Sequence, residues 1–556
     1  MMIQETRIRK LNSKGLRAGD YVLYWMQQSQ RAEYNHALEY AVGEADRQGL
    51  PVVVVFGLTD GYPEANLRHY TFMLEELKET RTALADRGIR MAIQRGEPDE
   101  VALRAGENAA LIVCDRGYLR HQIAWRENLA QKAGCAVVQV ESDGVAPVET
   151  ASPKAEYAAR TFRPKIHKHL ANYLVSLPKS EPRKSSIGLD IESIDLSDPA
   201  AVAAEMSLDR SVSAVSHHLK GGTPEAKRRF REFIENRLER YGENSNQPQT
   251  DDVSHMSPYL HFGQISPLYL ALKIKAVEKE FPEASADYLE ELLVRRELAI
   301  NFVHYTPDYD RFSMLPGWAR ETLLAHKPDD RPHRYTRKQM ENAETHDPYW
   351  NAAMKEMRHT GFMHNYMRMY WGKKVLEWCN TPEYAYKTLL YLNNKYFLDG
   401  RDPASYANVG WIFGLHDRAW KERAIFGKVR YMAASDWSEN AISTDMSEKL
   451  RPAFQPTPVF NFIENRRSGM FDQEWQKEKY EEVFETTIRQ ARIQREMDPN
   501  FRLDDIRARL KDLYIREGHG WEGKGIVIEI VEAATIAAYE HLLAEWGQDG
   551  SIGKIL

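Results

Sequence analysis

Between residues 20 and 145 the chain alternates two kinds of patterning. Short β-rich runs (YVLYWM, PVVVVFGL, IRMAIQRG, LIVCD and CAVVQV) alternate with helical stretches over 30–48, 65–87, 100–109 and 118–133. Strand-length runs alternating with helix-length stretches predict a doubly wound parallel α/β sheet, because parallel neighbours need a crossover between them. This domain is expected over residues 15–150. Residues 151–222 lose any sustained period and gain Pro, Ser and Lys, as in SLPKSEPRKSSIGLD, which reads as an interdomain linker. From 223 to 440 the period is helical throughout. Its first helix opens on TPEAKRRF, with Thr223 expected as N-cap, Pro224 at the first helical position and Glu225 in the first turn. An all-α domain follows from this, and residues 441–556, charged and helix-prone, read as a helical C-terminal extension.

Composition narrows the class. A chain of 556 residues is too long for one ordinary core, and the three cysteines, Cys114, Cys135 and Cys379, are scattered without a CxxC pair. Neither a disulfide framework nor a metal site is suggested, and a cytoplasmic location is expected. No run approaches the length of a membrane span. The net charge of −6 argues against indiscriminate polyanion binding while leaving room for a local basic face.

Several segments carry candidate chemistry. No GxGxxG follows the first strand; WMQQSQRAEYNHAL stands there instead, and its Trp25, Gln30, Arg31 and Asn35 either hold a small molecule at the strand ends or cap and solvate a helix start. MSPYLHFGQIS combines a Ser257 cap with a following Pro, the composition of a helix start able to bind phosphate. In EELLVRRELAINF, Glu291, Arg295, Arg296 and Glu297 lie on successive turns, as in a salt-bridged helix face. LNNKYFLDGRDPASYANVGW gathers Asn393, Asp399, Arg401, Asp402 and Trp411 in a Gly- and Pro-punctuated segment suited to gripping a polar heterocycle. Trp371 and Trp378, seven residues apart, share one helix face about 10.5 Å apart in rise, a spacing that serves core packing as well as aligned indoles.

Taken together, MSPYLHFGQIS, RRELAINFVHYTPDYD, THDPYWNAAM, MHNYMRMYWGKKVLEW, YLNNKYFLDGRDP and HDRAWKERAIFGKVRYM closely resemble the class II cyclobutane pyrimidine dimer DNA photolyases, in order and across residues 15–432. The resemblance implies light-driven repair of pyrimidine dimers in UV-damaged DNA by a bound FAD, active as FADH⁻. It implies a tryptophan relay with Trp371 nearest the flavin, Trp350 in the middle and Trp378 as the surface exit. Asn393 becomes the partner of flavin N5, and Arg368 with Asp399 a buried ion pair beside the ring. Tyr241, Ser254, Ser257, Glu297, Gly400 and Arg401 fall in FAD-contacting segments. On the substrate side it implies Glu291 as the carboxyl that hydrogen-bonds the dimer, Met369 and Trp411 as apolar surfaces against it, and Asn246, Arg418 and Arg430 as DNA contacts. An antenna chromophore, deazaflavin or folate, is left unassigned.

The chain departs from the family pattern on the DNA side. Ser245 stands where an Arg is implied beside Asn246, the loop after Trp411 is one residue short, and the usual basic ending gives way to AASDWSEN and the long extension. These departures keep a cryptochrome-like blue-light photoreceptor open as the alternative. In the extension, GIVIEIVEAATIAAYEHLLAEW holds apolar residues from Ile526 to Trp546 that must bury against something, so a folded helical unit is expected, docked on the body or on a second copy. No obligatory protein partner is evident.

Overall fold

The structure is a computed structural model that describes residues 3–248, 250–432 and 474–498, with single positions between 501 and 546. The chain divides into two compact units, Met1–Glu341 with Met354–Ala434, and Asn342–Ala353 with Ser435–Leu556.

The first unit opens on a sheet of six strands, β1 (Ile8–Lys10), β2 (Tyr21–Trp25), β3 (Val52–Leu58), β4 (Arg90–Arg95), β5 (Ala109–Asp115) and β6 (Ala136–Val140), in the spatial order β1-β6-β5-β2-β3-β4. Strands β2 to β6 pair in parallel, whereas β1 runs antiparallel along β6 with Ile8 opposite Val140. The expected parallel sheet is present over β2 to β6, and one antiparallel edge strand, β1, is added to it before residue 15. A three-residue edge strand with one apolar side chain carries no period to read. Helices α1 (His36–Gln48), α2 (Leu67–Ala85), α3 (Pro98–Ala105) and α4 (Arg120–Lys132) supply the crossovers, and β2, β3, β5 and β6 are buried along their whole length. Alternate residues feed two apolar layers. Val22, Val54 and Val113 face one, and Leu23, Val53 and Ile112 the other.

Beyond the sheet the chain is helical. The expected linker 151–222 is not bare: after the short α5 (Val148–Ala151) it holds α6 (Ala159–Tyr173) and α7 (Pro199–Glu205), and α6 buries Phe162, Ile166 and Tyr173 in the helical core. Then follow α8 (Thr223–Asn236), α9 (Leu238–Asn244), α10 (Ser257–His261), α11 (Pro267–Val277), α12 (Pro282–Leu289), a π-helical turn Glu290–Arg295, α13 (Arg296–Tyr305), α14 (Gly317–Ala325), α15 (Arg337–Glu341), α16 (Pro348–Thr360), α17 (Asn365–Trp378), α18 (Pro382–Tyr396) and α19 (Pro403–Ile412). The N-cap of α8 is Gly222, one residue before the expected Thr223. Thr223 Oγ1 instead donates to the Gln264 carbonyl at 2.7 Å and lies 2.8 Å from Glu76 Oε1 on α2.

Contacts between sheet and helices are specific. Gly263, in the left-handed region at φ +67°, packs so closely on the β2 turn that a Cβ there would lie 2.0 Å from the Gln28 carbonyl oxygen. The start of α2 braces the segment after α18: Asn66 donates to the Lys395 carbonyl at 2.7 Å, Arg68 to that of Tyr396 at 2.6 Å, and His69 Nε2 sits 3.0 Å from that of Phe397. Cys114, Cys135 and Cys379 are buried and free.

In the second unit, α20 (Glu474–Met497) contributes Ile488 and Ala491 to an apolar cluster with Phe501, Ile506, Ala538, Leu542 and Trp546. Of the apolar residues read in 525–546, Ala534, Tyr539, Leu542 and Trp546 are described and the others lie outside the described residues. Among the described residues no helix is long and apolar enough to cross a membrane.

Candidate functional site

The end of α18 builds the centre of the site. Thr381 caps the helix by accepting from the Tyr384 N–H at 3.1 Å, and Pro382 occupies the first helical position. At the far end the chain turns back at Gly400, where a Cβ would lie 2.8 Å from the Asn393 carbonyl oxygen and 3.0 Å from that of Phe397, so only glycine closes the turn without a shift. This fold-back sets Asp399 against Arg368 of α17, with Nη1 to Oδ1 at 3.0 Å. The guanidinium also donates from Nε to the Met363 carbonyl at 2.9 Å and stacks 3.9 Å over the Phe397 ring. Trp371, one turn along α17, meets the same ring edge-on at 6.1 Å. Asn393 is buried and donates to Asn394 Oδ1 at 3.0 Å. Five residues expected from the sequence thus converge: Arg368, Trp371, Asn393, Asp399 and Gly400. Phe397, around which they gather, was missed, although its place just past a helix end and three residues before the glycine marks a turn.

A wall of aromatic rings continues from this centre. Phe362 lies 5.9 Å from the Arg368 guanidinium and packs on His255 at 4.6 Å, and His255 Nε2 sits 2.8 Å from Asp251. Ser254 Oγ accepts from the Tyr288 hydroxyl at 3.3 Å, and Tyr288 packs on Tyr241 at 5.6 Å. Burial and the nearby Glu291 carboxylate both raise the Tyr241 phenol. Glu291 itself stands on the π-helical turn, a rare distortion that re-aims side chains and recurs at functional sites. Its side chain reaches solvent, yet the surrounding protein raises its carboxyl above the usual range, with Glu290 and Asp287 adding and Arg295 opposing. The expected salt-bridged face is only partly formed: Glu290 takes Arg163 and, at 3.4 Å, Arg295, which leaves Glu291 outside the ion pairs.

A third group surrounds Trp411 of α19. Fully buried Lys373 donates to the Ile412 carbonyl at 2.7 Å and lies 4.9 Å from the Trp411 ring centre. Burial lowers its ammonium to about 7, against the pull of Asp417 and together with Arg430. Arg430 sits 5.6 Å from Trp411 and 5.0 Å from Trp420, and Arg418 4.9 Å from Trp420. Arg418 and Trp420 are exposed, as is Asn246, while Met369 and Trp411 are half-buried. Lys373 and Trp420 gave no sequence signal apart from their neighbours.

Several expected residues lie elsewhere. Ser257 is not a cap: α10 has Met256 at that position, and Ser257 is the exposed first residue of a five-residue helix. Glu297 is buried against the α/β part, accepting from the Val145 N–H at 2.8 Å, and burial raises its carboxyl to about 7 against the pull of Arg296. Trp378, expected at the surface, is 2% exposed and covered edge-on by half-buried Tyr335 at 5.4 Å. Trp350 is buried in the unit that also holds Ser435–Leu556, its backbone N–H donating to Asp347 Oδ1 at 2.9 Å.

The polar turn after β2 divides between the two readings open to it. Asn35 caps α1, Arg31 forms a buried pair with Asp143 at 2.7 Å, and Trp25 is core. The N–H groups of Gln27, Gln28 and Ser29 converge on Asp115 at 3.0 to 3.2 Å, at the point where the strand order reverses. Gln30, however, lines a cavity at the carboxyl ends of β2 and β3 with Tyr62, His69, Gln122, His261 and Arg401. Gln30 Oε1 and Arg401 Nε are buried there without a hydrogen-bond partner among the described residues. Arg401 therefore belongs to this cavity and not to the Phe397 cluster.

The profile of the DNA photolyase family matches residues 22–183. A deoxyribodipyrimidine photo-lyase of Methanothermobacter thermautotrophicus is 49% identical over 434 residues, which is 78% of this chain and 95% of that protein. This chain belongs to the DNA photolyase family. A second relative of the family, from Oryza sativa subsp. japonica, is 40% identical over 462 residues, 77% of this chain and 87% of that protein. Among solved structures, a class III photolyase from Agrobacterium tumefaciens superposes with TM-score 0.60 at 19% identity, covering 79% of this chain and 88% of that one. A cryptochrome from Synechocystis follows at TM-score 0.59 and 16% identity, covering 78% and 88%. At those identities the likeness is one of fold: a photolyase-type α/β domain followed by a helical domain. Proteins of the photolyase family bind FAD. The polar groups about the end of α18 suit such a group, since a guanidinium that donates, its carboxylate that accepts and the Asn393 amide that does both match a planar ring with polar edge atoms.

Proposed function

We propose that the protein is a class II deoxyribodipyrimidine photo-lyase that repairs cyclobutane pyrimidine dimers in DNA under blue light. The observation that carries the reading is the packing of Arg368 and Trp371 on the Phe397 ring, with Asp399 paired to Arg368 and buried Asn393 accepting from the Phe397 N–H through its carbonyl, in a chain 49% identical to a deoxyribodipyrimidine photo-lyase. When bound in its reduced form, FAD would supply, on excitation by light, the electron that opens the cyclobutane ring.

The chain's own residues hold and protect that chemistry. Arg368, kept in place by Asp399 and Phe397, balances negative charge in a poorly solvated site, and Asn393 offers an amide in place of an ionisable group. Tyr241, Ser254, Ser257 and Gly400 complete the flavin contacts, Ser257 on the strength of the motif resemblance alone. Glu291 holds a proton more readily than an ordinary carboxyl and donates it as a hydrogen bond where charge develops on the dimer. Trp411, stiffened by Lys373 and Arg430, and Met369 pack against a dimer flipped out of the duplex. Arg418, Arg430 and Asn246 hold the DNA around the lesion. Trp371, Trp350 and Trp378 serve as readily oxidised indoles that restore the reduced state, with Tyr335 covering the outermost. The cavity at the ends of β2 and β3, with its unpartnered Gln30 and Arg401 atoms, takes an antenna chromophore.

The test is a repair assay. Reduced protein, a dimer-containing oligonucleotide and blue light are expected to yield monomeric pyrimidines. Glu291→Ala is expected to lower the repair yield about tenfold or more while changing DNA affinity much less. Equal losses in both would make Glu291 a binding residue only.

A second reading, a photoreceptor with an effector extension, is favoured by one observation. Ser435–Leu556 form one compact unit with Asn342–Ala353, the segment that carries Trp350. Absence of monomer formation by fully reduced, DNA-binding protein would decide for it.

A further inference from the structure

Helix α6 has the pattern of a surface helix with one unusual property. Phe162, Ile166 and Tyr173 point into the helical core, while the remaining positions carry Arg160, Arg163, Lys165, His167, Lys168 and His169, and no acidic residue occurs in its fifteen. A solvated helix face ordinarily mixes signs, because like charges three or four positions apart destabilise it by a few tenths of a kcal/mol per pair. Here Arg160 with Arg163, and Lys165 with Lys168, stand at that spacing, in a chain whose net charge is −6. Two of these cations are neutralised within the protein. Arg163 grips both carboxylate oxygens of Glu290, through Nε at 2.9 Å and Nη2 at 2.6 Å, and Lys165 pairs with Glu156. Arg160 and Lys168 are exposed and have no carboxylate partner among the described residues.

The position of the helix says what the partner is. Glu290, held by Arg163, directly precedes Glu291 on the π-helical turn. At the other side, Tyr157, 54% exposed in the turn before α6, donates its hydroxyl to the Asp417 carbonyl at 3.2 Å, one residue from Arg418. The helix is thus tied through Arg163 to the residue that precedes the carboxyl assigned to the dimer, and the turn before it is tied to the loop assigned to the DNA around it.

We propose that the exposed side of α6, with Arg160 and Lys168 as its free cations, is a further strip of the DNA interface that holds the sugar-phosphate backbone of the duplex beside the lesion. The inference rests on the reading of the protein as a DNA-binding photolyase. The two cations stand eight positions apart, about 12 Å of helix, a length over which one strand presents roughly three to four phosphates. Contacts of this kind fix position without reading sequence or damage. The strip therefore raises affinity for damaged and undamaged duplex alike.

The experiment compares full-length, FAD-loaded wild type with the double variant Arg160→Ala, Lys168→Ala and with the charge-retaining double variant Arg160→Lys, Lys168→Arg. Binding to a dimer-containing duplex and to the same undamaged duplex is measured over a series of salt concentrations. The alanine variant is expected to bind both duplexes about tenfold more weakly. The slope of log affinity against log salt should become shallower by about 1.8, two phosphate contacts at 0.9 each. The charge-retaining variant should keep the wild-type slope. An unchanged slope in the alanine variant, a loss confined to dimer-containing DNA, or the same loss in the charge-retaining variant would overturn the inference. Wild type that binds duplex but never prefers or repairs a dimer would overturn the photolyase reading instead, with the slope still deciding the strip.

Discussion

Trp371 is the residue at which structure and chemistry separate most cleanly. Its indole is buried edge-on to Phe397 on the helix turn next to Arg368, so replacement by Phe keeps an aromatic contact and removes mainly the easily oxidised ring. Trp371→Phe is expected to cost on the order of 1 to 2 kcal/mol of stability and to retain FAD. Photoreduction of oxidised flavin should fall at least tenfold in flash or steady illumination, whereas repair by chemically reduced protein should persist. Photoreduction at the wild-type rate would remove Trp371 from the relay. The neighbouring ion pair invites no such clean dissection, because truncating Arg368 would leave Asp399 buried and unpaired.

At the scale of elements, the contact between α2 and the start of α8 holds a titratable group with a large displacement. Glu76 is fully buried and is raised to about 8, by burial first and by Glu79, against the hydrogen bonds from Thr80 and Thr223. In the unfolded chain it ionises near 4.5. The fold therefore binds the extra proton between those values. The stabilisation is complete below about pH 4.5 and is lost as pH rises through about 8, at a slope of at most about 1.4 kcal/mol per pH unit. Glu76→Gln removes the titration. Thermal unfolding at pH 5, 7 and 8.5 should find the variant gaining on wild type at each step, and parallel curves would show that Glu76 does not titrate in this way. The π-helical turn belongs to the same scale: six residues between α12 and α13 lift Glu291 out of the ion pairs that an ordinary helical register was expected to form.

For the whole molecule, the second unit joins the extension to a segment 342–353 taken from the middle of the helical half. A disordered tail would carry few large apolar residues, whereas Ile488, Phe501, Leu542 and Trp546 are buried in one cluster and Arg495 stacks 4.2 Å from the Trp546 ring. Truncation after Met432 deprives 342–353 of the rest of its unit. The shortened protein is expected to retain FAD and light-driven chemistry but to lose solubility or change its oligomeric state on gel filtration, with new protease cleavage near 342–353. Immediate digestion of the extension in the full-length protein in the dark, with the body unaltered, would defeat the idea of a folded unit. Protection lost only on illumination would favour the photoreceptor.

Strand and helix order in the first 145 residues was legible because apolar runs and helical periods are local properties of the chain, and β1 was not because three residues contain no period. The candidate site could be read as a local group where its residues lie within one turn or one helix, as Asn393, Asp399 and Gly400 do around the end of α18. Pairings across the sequence were settled by packing alone. Arg163 with Glu290 is 127 residues apart, and Arg31 reaches Asp143 across the sheet. For the same reason Trp378 is core and not surface, Glu297 faces Val145, and Arg401 lines the cavity at the strand ends: burial and partner are decided by what a neighbouring element brings against a side chain, which no period along the chain records.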